Sequence, residues 1–334
     1  MKAIVYRRYR SPDVVALAEV PKPAPKDNEV LIRIHATTVT TGDWRARSLK
    51  MPAGFGLMGR LAFGVFGPRK PILGTELAGV VEKAGKAVTR FKTGDEVFAF
   101  PGASFGGHAE YRIMSEDGLI ALKPANLSFE EAAALSFGGT TALIFLRDKG
   151  GIKRWDKVLI VGASGGVGTA AVQIAKHLGA EVTGVCSTAN LDLVRSIGAD
   201  QVIDYTKENF VLRGETYDIV LDTTGTTSFA RCGDVLKPGG HLLLVLGSFA
   251  QALGLERPSK ASGKKVIAGV ASARREDMNY LASLAQAGAF QPVIDRSYPL
   301  ENAAEAHAYV DTGRKRGNVV LTMRHSQPVV SAAA

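Results

Sequence analysis

The residues with the clearest chemical meaning run from Val158-Leu159-Ile160-Val161 into Gly162-Ala163-Ser164-Gly165-Gly166-Val167-Gly168. An apolar strand candidate enters a glycine-rich turn. A helical pattern follows, with Val167, Ala170, Ala171, Ile174, Ala175 and Leu178 on one apolar face. The N-terminus of such a helix offers free N–H groups and a partial positive charge, which suit a phosphate. Aligned on the dinucleotide fingerprint, Ala163-x-Gly165-x-x-Gly168 carries Ala in place of the first Gly. Gly165 would let the backbone approach a pyrophosphate, and Gly168 would let the helix pack close to the strand. Ser164, Gly166 and Val167 complete the cradle. A ligand-free strand–turn–helix corner is the plain alternative. The strand-and-helix context around this turn favours a nucleotide.

The choice of nucleotide is read about 20 residues further on, at the end of the second strand. An NAD protein would place Asp or Glu there. This chain has Cys186-Ser187-Thr188-Ala189-Asn190. No carboxylate stands in the turn to repel a 2′-phosphate. Ser187 and Asn190 are the candidate contacts, with Tyr205 arriving from the next strand end. The turn also lacks Lys and Arg, so the expectation of NADPH rests on the missing acid. Ordinary loop polarity remains the other reading of these residues.

Elements of two kinds must position these groups. After Asp156 strand candidates alternate with helical patterns: 157–161, 181–186, 201–204, 218–222, 241–246 and 265–270. That alternation predicts a parallel sheet covered on both faces. The first 120 or so residues instead read as mostly β, with strand candidates at 2–6, 30–35, 77–82 and 96–100. Ser128 and Glu131 have the spacing of a capping box before an Ala-rich run. Residues 50–73 read as one long irregular loop rich in Gly, Phe, Met and Pro. Its apolar residues, among them Phe55, Leu57, Met58, Leu61 and Phe66, suit a substrate lid. A membrane contact helped by Arg60, Arg69 and Lys70, and plain packing, are the alternatives.

At 334 residues the chain is long enough for two domains. Its 46% apolar and 22% charged residues exclude disorder. The net charge of +9 would suit nucleic acid, an acidic membrane surface, an anionic cofactor or simply solvent. Its densest cluster, Arg314-Lys315-Arg316, is too short for a nucleic-acid arm. Two cysteines, Cys186 and Cys232, form no disulfide framework or metal knuckle. No apolar run is long enough to span a bilayer, and no signal core precedes the first strand, so a soluble, cytoplasmic protein is expected.

Across nearly its whole length the sequence resembles the medium-chain dehydrogenase/reductase superfamily, in its zinc-independent quinone oxidoreductase branch. The resemblance rests on Gly42-Asp43-Trp44-Arg45, Gly74-Thr75-Glu76, Gly94-Asp95-x-Val97, Phe105-Gly106-Gly107 and Gly139-Thr140-Thr141-Ala142. It continues through the cradle, Gly198-Ala199-Asp200, Leu236-Lys237-Pro238-Gly239-Gly240 and Gly317-Asn318-Val319-Val320. The stretch from Cys186 to Tyr205 is similar to plastid-envelope homologues of that branch. The resemblance implies an α/β fold: a GroES-like, mostly-β catalytic domain (1–124 and 271–334) and a doubly wound Rossmann domain (125–270). Zinc members of the superfamily carry a Cys and a His where this chain has Thr40-Thr41-Gly42 and Gly74-Thr75-Glu76, so no metal is expected.

The resemblance also implies further contacts. Thr141 and Asn318 would lie at the nicotinamide end. Leu246, Gly247 and Ser248 would follow a strand end where open α/β sheets bind ligands. Thr40, Arg45 and Ser104 lie on segments that face the cofactor. A quinone or enone is already electrophilic, so hydride transfer from NADPH needs positioning more than metal activation. The family often has Asn where Thr40 stands, and some members have Tyr where Arg45 stands. The proton donor is therefore left open, with water a candidate. A metal-free alcohol dehydrogenase or carbonyl reductase, and a non-catalytic NADPH- or RNA-binding protein, are the competing functions. A homodimer is typical of the branch.

Overall fold

Continuous apolar runs become the central strands of a parallel sheet because helices cover both of its faces. In the computed structural model, which describes residues 1–255 and 259–325, Lys157–Val161 is such a strand, buried from its second residue onward. The strands in chain order are β1 (Lys2–Val5), β2 (Ala16–Glu19), β3 (Glu29–Thr38), β4 (Leu77–Ala84), β5 (Glu96–Ala99), β6 (Tyr111–Ser115) and β7 (Ile120–Leu122). They continue as β8 (Lys157–Val161), β9 (Glu181–Cys186), β10 (Gln201–Asp204), β11 (Tyr217–Asp222), β12 (Leu236–Leu244), β13 (Lys265–Ala268), β14 (Ile294–Pro299) and β15 (Asn318–Thr322). The helices are α1 (Thr41–Ser48), α2 (Gly56–Phe63), α3 (Phe129–Ala133), α4 (Ser136–Leu143), α5 (Gly166–His177), α6 (Leu191–Ser196), α7 (Phe229–Cys232), α8 (Phe249–Ala252), α9 (Arg275–Gln286) and α10 (Ala303–Asp311).

Six strands form one parallel sheet in the order β10-β9-β8-β11-β12-β13. The chain runs outward one way from β8 and the other way from β11. A topological switch point therefore lies between those two strands, which is where such sheets bind ligands. The expected doubly wound sheet is present. The other sheet runs β14-β15-β3-β4-β5-β7, with β6 also paired to β3, and is antiparallel apart from β14 on β15. The chain thus returns to its first sheet after α9. A shared core joins the two units: Ala36, Ala78 and Phe98 of the first sheet pack in one cluster with Leu143, Ala170 and Leu281.

The capping box at Ser128 forms: its hydroxyl accepts from the Glu131 N–H, and the Glu131 carboxylate accepts from the Ser128 N–H. On α5 the expected apolar face is the buried one. Two differences stand out. Residues 50–73 are not wholly irregular, because α2 forms inside them. Beyond α4 the chain winds on as a π-helix, Ile144–Lys149, which no sequence pattern suggested. The polar, Ala-rich tail after His325 lies outside the described residues.

Candidate active site

The cradle is built at the switch point. Gly162 ends β8 with φ +82°, a left-handed conformation that glycine tolerates best. The tight turn thus falls on Gly162, one residue before the Ala163 aligned with the first fingerprint glycine. Ala163 itself is fully buried. Gly165 caps α5. The first intrahelical bond runs from the Thr169 N–H to the Gly165 O at 2.8 Å. Among the described residues none accepts from the N–H groups of Gly166, Val167 or Gly168. Three donors therefore point out of a helix N-terminus. Gly168 makes the close packing possible, since a Cβ there would lie 2.0 Å from the Gly162 O.

The second strand end joins the cradle directly. The Asn190 Nδ2 donates to Ser164 Oγ at 3.1 Å and to Ser187 Oγ at 3.2 Å. The Asn190 Oδ1 is buried and has no hydrogen-bond partner among the described residues. Tyr205 is exposed beside this group, its N–H bonded to the Cys186 O at 3.1 Å. A carboxylate is present after all, on β10: Asp204 is buried. Thr188 and Thr206 donate to it, which holds it below the ordinary carboxylate range. Lys207 Nζ stands 3.9 Å from it, a cation near the turn that the sequence reading did not single out.

The first sheet closes on the cradle through its last strand. The Gly317 N–H donates to the Ser164 O at 2.8 Å, and Gly165 and Gly317 form an isolated parallel bridge. Asn318 is buried, with Nδ2 donating to the Val293 O at 3.1 Å. A Cβ on Gly166 would sit 3.0 Å from the Asn318 Oδ1 and 3.1 Å from the Lys315 Nζ. Lys315 donates to the Gly317 O at 2.6 Å and has no carboxylate within 4.0 Å among the described residues. Loss of solvent pulls its ammonium down to about 8, against the opposing pull of Glu76 and Asp295. Sequence reading saw Lys315 only as part of a short basic cluster.

Next to the cradle, α4 packs so tightly on α5 that a Cβ on Gly138 would lie 2.5 Å from the Gly166 O. Thr141 sits on α4 with its hydroxyl donating to the Phe137 O at 2.7 Å. Glu76 bridges the two units: Thr38 Oγ1 donates to it at 2.5 Å, and the Phe137 N–H at 2.6 Å. Burial pushes this acid up to about 7, partly offset by those two hydrogen bonds. The native state therefore keeps a proton that an unfolded chain releases near its ordinary value of 4.5. Stability from this group falls as pH rises from about 4.5 to about 7, by ~3 kcal/mol in all. Glu76→Gln should flatten that window in urea unfolding at pH 5 and pH 7.5. An unchanged slope would remove Glu76 as its source.

Thr40 is buried and caps α1; its hydroxyl donates to Asp43 Oδ2 at 2.6 Å, and the Thr75 hydroxyl lies 2.9 Å away. Arg45 donates to the Lys50 O at 2.9 Å and stacks over Trp44, and its buried Nε has no partner among the described residues. No carboxylate lies within 4.0 Å of it among the described residues. Ser104 donates to the Pro101 O at 2.7 Å and accepts from Arg112. The hydrogen bonds of Arg45 and Ser104 do not reach the cradle. After β12, Leu246 lies against Gly225, Gly247 against Ala268, and Ser248 caps α8. Cys186 and Cys232 are free and buried, and burial pushes both thiols up to about 11, so they are inert at neutral pH.

Comparison with known proteins gives this arrangement its relatives. Residues 26–124 match the alcohol dehydrogenase GroES-like domain, and residues 197–321 match a zinc-binding dehydrogenase model. The chain is 35% identical to a pig (Sus scrofa) quinone oxidoreductase over 97% of its own length and 98% of that protein's. The chain belongs to the quinone oxidoreductase branch of the medium-chain dehydrogenases/reductases. A second relative, an NADPH-dependent alkenal/one oxidoreductase of Arabidopsis thaliana chloroplasts, is 32% identical over 96% of this chain and 79% of its own. Among solved structures, a quinone oxidoreductase from Coxiella burnetii superposes with a TM-score of 0.85 at 30% identity, covering 97% of this chain and 99% of the other. This member of the superfamily is thus an oxidoreductase with the nicotinamide-cofactor architecture. One of its matching models is described as zinc-binding, yet among the described residues no three His, Cys, Asp or Glu side chains converge as metal ligands.

Proposed function

We propose that this enzyme reduces a quinone or an α,β-unsaturated carbonyl with NADPH and without zinc. The observation that carries the reading is the set of three N–H donors at Gly166, Val167 and Gly168, unpaired among the described residues, at the sheet's switch point. With Ala163, Ser164 and Gly165 they form a cradle for the pyrophosphate. Ser187, Asn190 and Tyr205 take the adenosine end, where the nearby acid is already occupied by threonines. The name of the alkenal/one relative points to the same cofactor. Thr141, Asn318 and the segment Leu246-Gly247-Ser248 line the nicotinamide end, and Lys315 adds positive charge beside Gly166. Residues 1–124 with 271–334 serve as the catalytic domain, and 125–270 as the nucleotide domain.

Bound there, NADPH would supply a hydride. The chain's own task is to hold an electrophilic carbon against it and to meet negative charge on the carbonyl oxygen. Thr40 is committed to Asp43 and Ser104 to Pro101; Arg45, whose Nε makes no hydrogen bond among the described residues, is one cation of the catalytic domain that could meet that charge, with water as the proton source. Two assays separate this from a metal-free alcohol dehydrogenase: NADPH oxidation with quinones and enones, and NADP⁺ reduction with alcohols, each with and without chelator. Chelator-insensitive turnover in the first assay alone is expected. Turnover in the second alone would transfer the protein to the alcohol class.

A further inference from the structure

Helix α2 turns Phe63 inward against the buried Phe105 but presents Leu57, Met58 and Leu61 to solvent. Leu57, Met58 and Leu61 are 73%, 51% and 54% exposed, and Phe66, just beyond the helix, is fully exposed. Only Gly59 of this helix is buried, against Met51. The Arg60 Nη1 reaches the Val65 O at 3.4 Å, which keeps Val65–Phe66 beside the last helical turn. On the other side the segment meets α8. The Phe249 N–H donates to the Ala53 O at 2.9 Å, the Phe55 and Phe249 rings meet edge to face at 5.4 Å, and the exposed Leu253 extends the apolar surface. Contiguous exposure of this kind marks an interaction surface.

Its electrostatics select the partner. No Asp or Glu occurs between Trp44 and Thr75. Arg60, Arg69 and Lys70 are exposed on this segment, and Arg7 and Arg8 are exposed on the neighbouring strand end, where the Arg7 O would lie 3.3 Å from a Cβ on Gly67. Among the described residues none of these five cations has a carboxylate within 4.0 Å. Aliphatic side chains rimmed by unpaired cations fit the interface of an anionic bilayer, where the first insert among acyl chains and the second meet headgroups. Single-stranded RNA fits less well, because it asks for stacked aromatic platforms and finds here mainly Leu and Met.

We propose that the α2 segment, with Phe66 and α8 beside it, is a peripheral docking surface for anionic lipid membranes. The test is flotation of the whole protein with vesicles of phosphatidylcholine alone, and of phosphatidylcholine mixed with phosphatidylserine. Flotation with the mixed vesicles is expected, weakened by salt. The triple variant Leu57→Glu/Leu61→Glu/Phe66→Glu should lower the partition coefficient at least about tenfold. Its melting temperature and its NADPH affinity should match the parent. Charge reversal at Arg60 and Lys70, Arg60→Glu/Lys70→Glu, should abolish the preference for phosphatidylserine without touching the apolar side chains. A parent that stays unbound to both vesicle types overturns the proposal, as does a triple variant that floats equally well. Salt-sensitive retention by RNA alone, or loss of a concentration-dependent dimer in the triple variant, overturns it too by assigning the surface to RNA or to a second copy.

Discussion

Ser187→Asp should weaken NADPH binding at least about 100-fold and leave NADH binding unchanged or tighter. Ser187 follows the last residue of β9, and the Asn190 side chain ties it to Ser164 of the cradle. On the proposed reading this is where the 2′-phosphate lies. A carboxylate about 4 Å from a phosphate charge costs about 4 kcal/mol at an effective dielectric near 20. Half of that, joined to the loss of the serine hydroxyl, already reaches two decades, at about 1.4 kcal/mol each. The same carboxylate can accept from both ribose hydroxyls of NADH, as acidic residues at this strand end do in NAD proteins. Fluorescence titration with each nucleotide measures both numbers. Equal weakening of both would mean that the substitution damages the fold. No change in either would place the adenosine end elsewhere.

Gly168→Val and Gly165→Ala should differ in kind. A Cβ at 168 would meet the Gly162 O at 2.0 Å and Ala163 carbons at 2.8 Å, all of them backbone. Helix α5 would have to move off β8. A loss of about 3 kcal/mol is expected, the upper range for overpacking, together with weakened NADPH binding. At Gly165 the nearest atom to an added Cβ is 3.6 Å away, and the backbone, φ −83° and ψ 175°, suits any residue. Gly165→Ala should therefore keep or slightly raise stability. Its methyl group would stand in the space assigned to the pyrophosphate, so NADPH affinity should still fall, by about tenfold. Thermal unfolding and nucleotide titration of the two variants separate packing from binding. Intact affinity in Gly165→Ala would move the pyrophosphate away from this turn.

The parts of this fold that could be read beforehand are those where local pattern and tertiary role agree. Lys157–Val161, Glu181–Cys186 and Gln201–Asp204 form strands over the residues expected, because both faces of a parallel strand demand an apolar run and the next turn ends it. At 241–246 the reading ran past the sheet: β12 begins back at Leu236 and stops at Leu244, and Leu246 leaves it to pack on Gly225. Helix α2 escaped notice because Gly56 and Gly59 weaken its propensity and Leu57, Met58 and Leu61 face solvent, which defeats a periodicity argument built on burial. Lys315 was hidden between the exposed Arg314 and Arg316. Only the turn at Gly317, with φ +65°, brings it to Gly166. Thr40 and Ser104 show the limit of reading roles from a motif, since their protons go to Asp43 and Pro101, partners set by local chain geometry.

The most direct test follows the hydride itself. The enzyme is supplied with NADPH deuterated at C4 on either face of the nicotinamide ring and with a small enone such as methyl vinyl ketone, and the product is analysed by mass spectrometry and NMR. One deuterium is expected on the β-carbon of the saturated ketone, from one face of the ring only, with chelator making no difference. NADPH consumption without deuterium in the product, or label on the carbonyl carbon of an allylic alcohol, would contradict it.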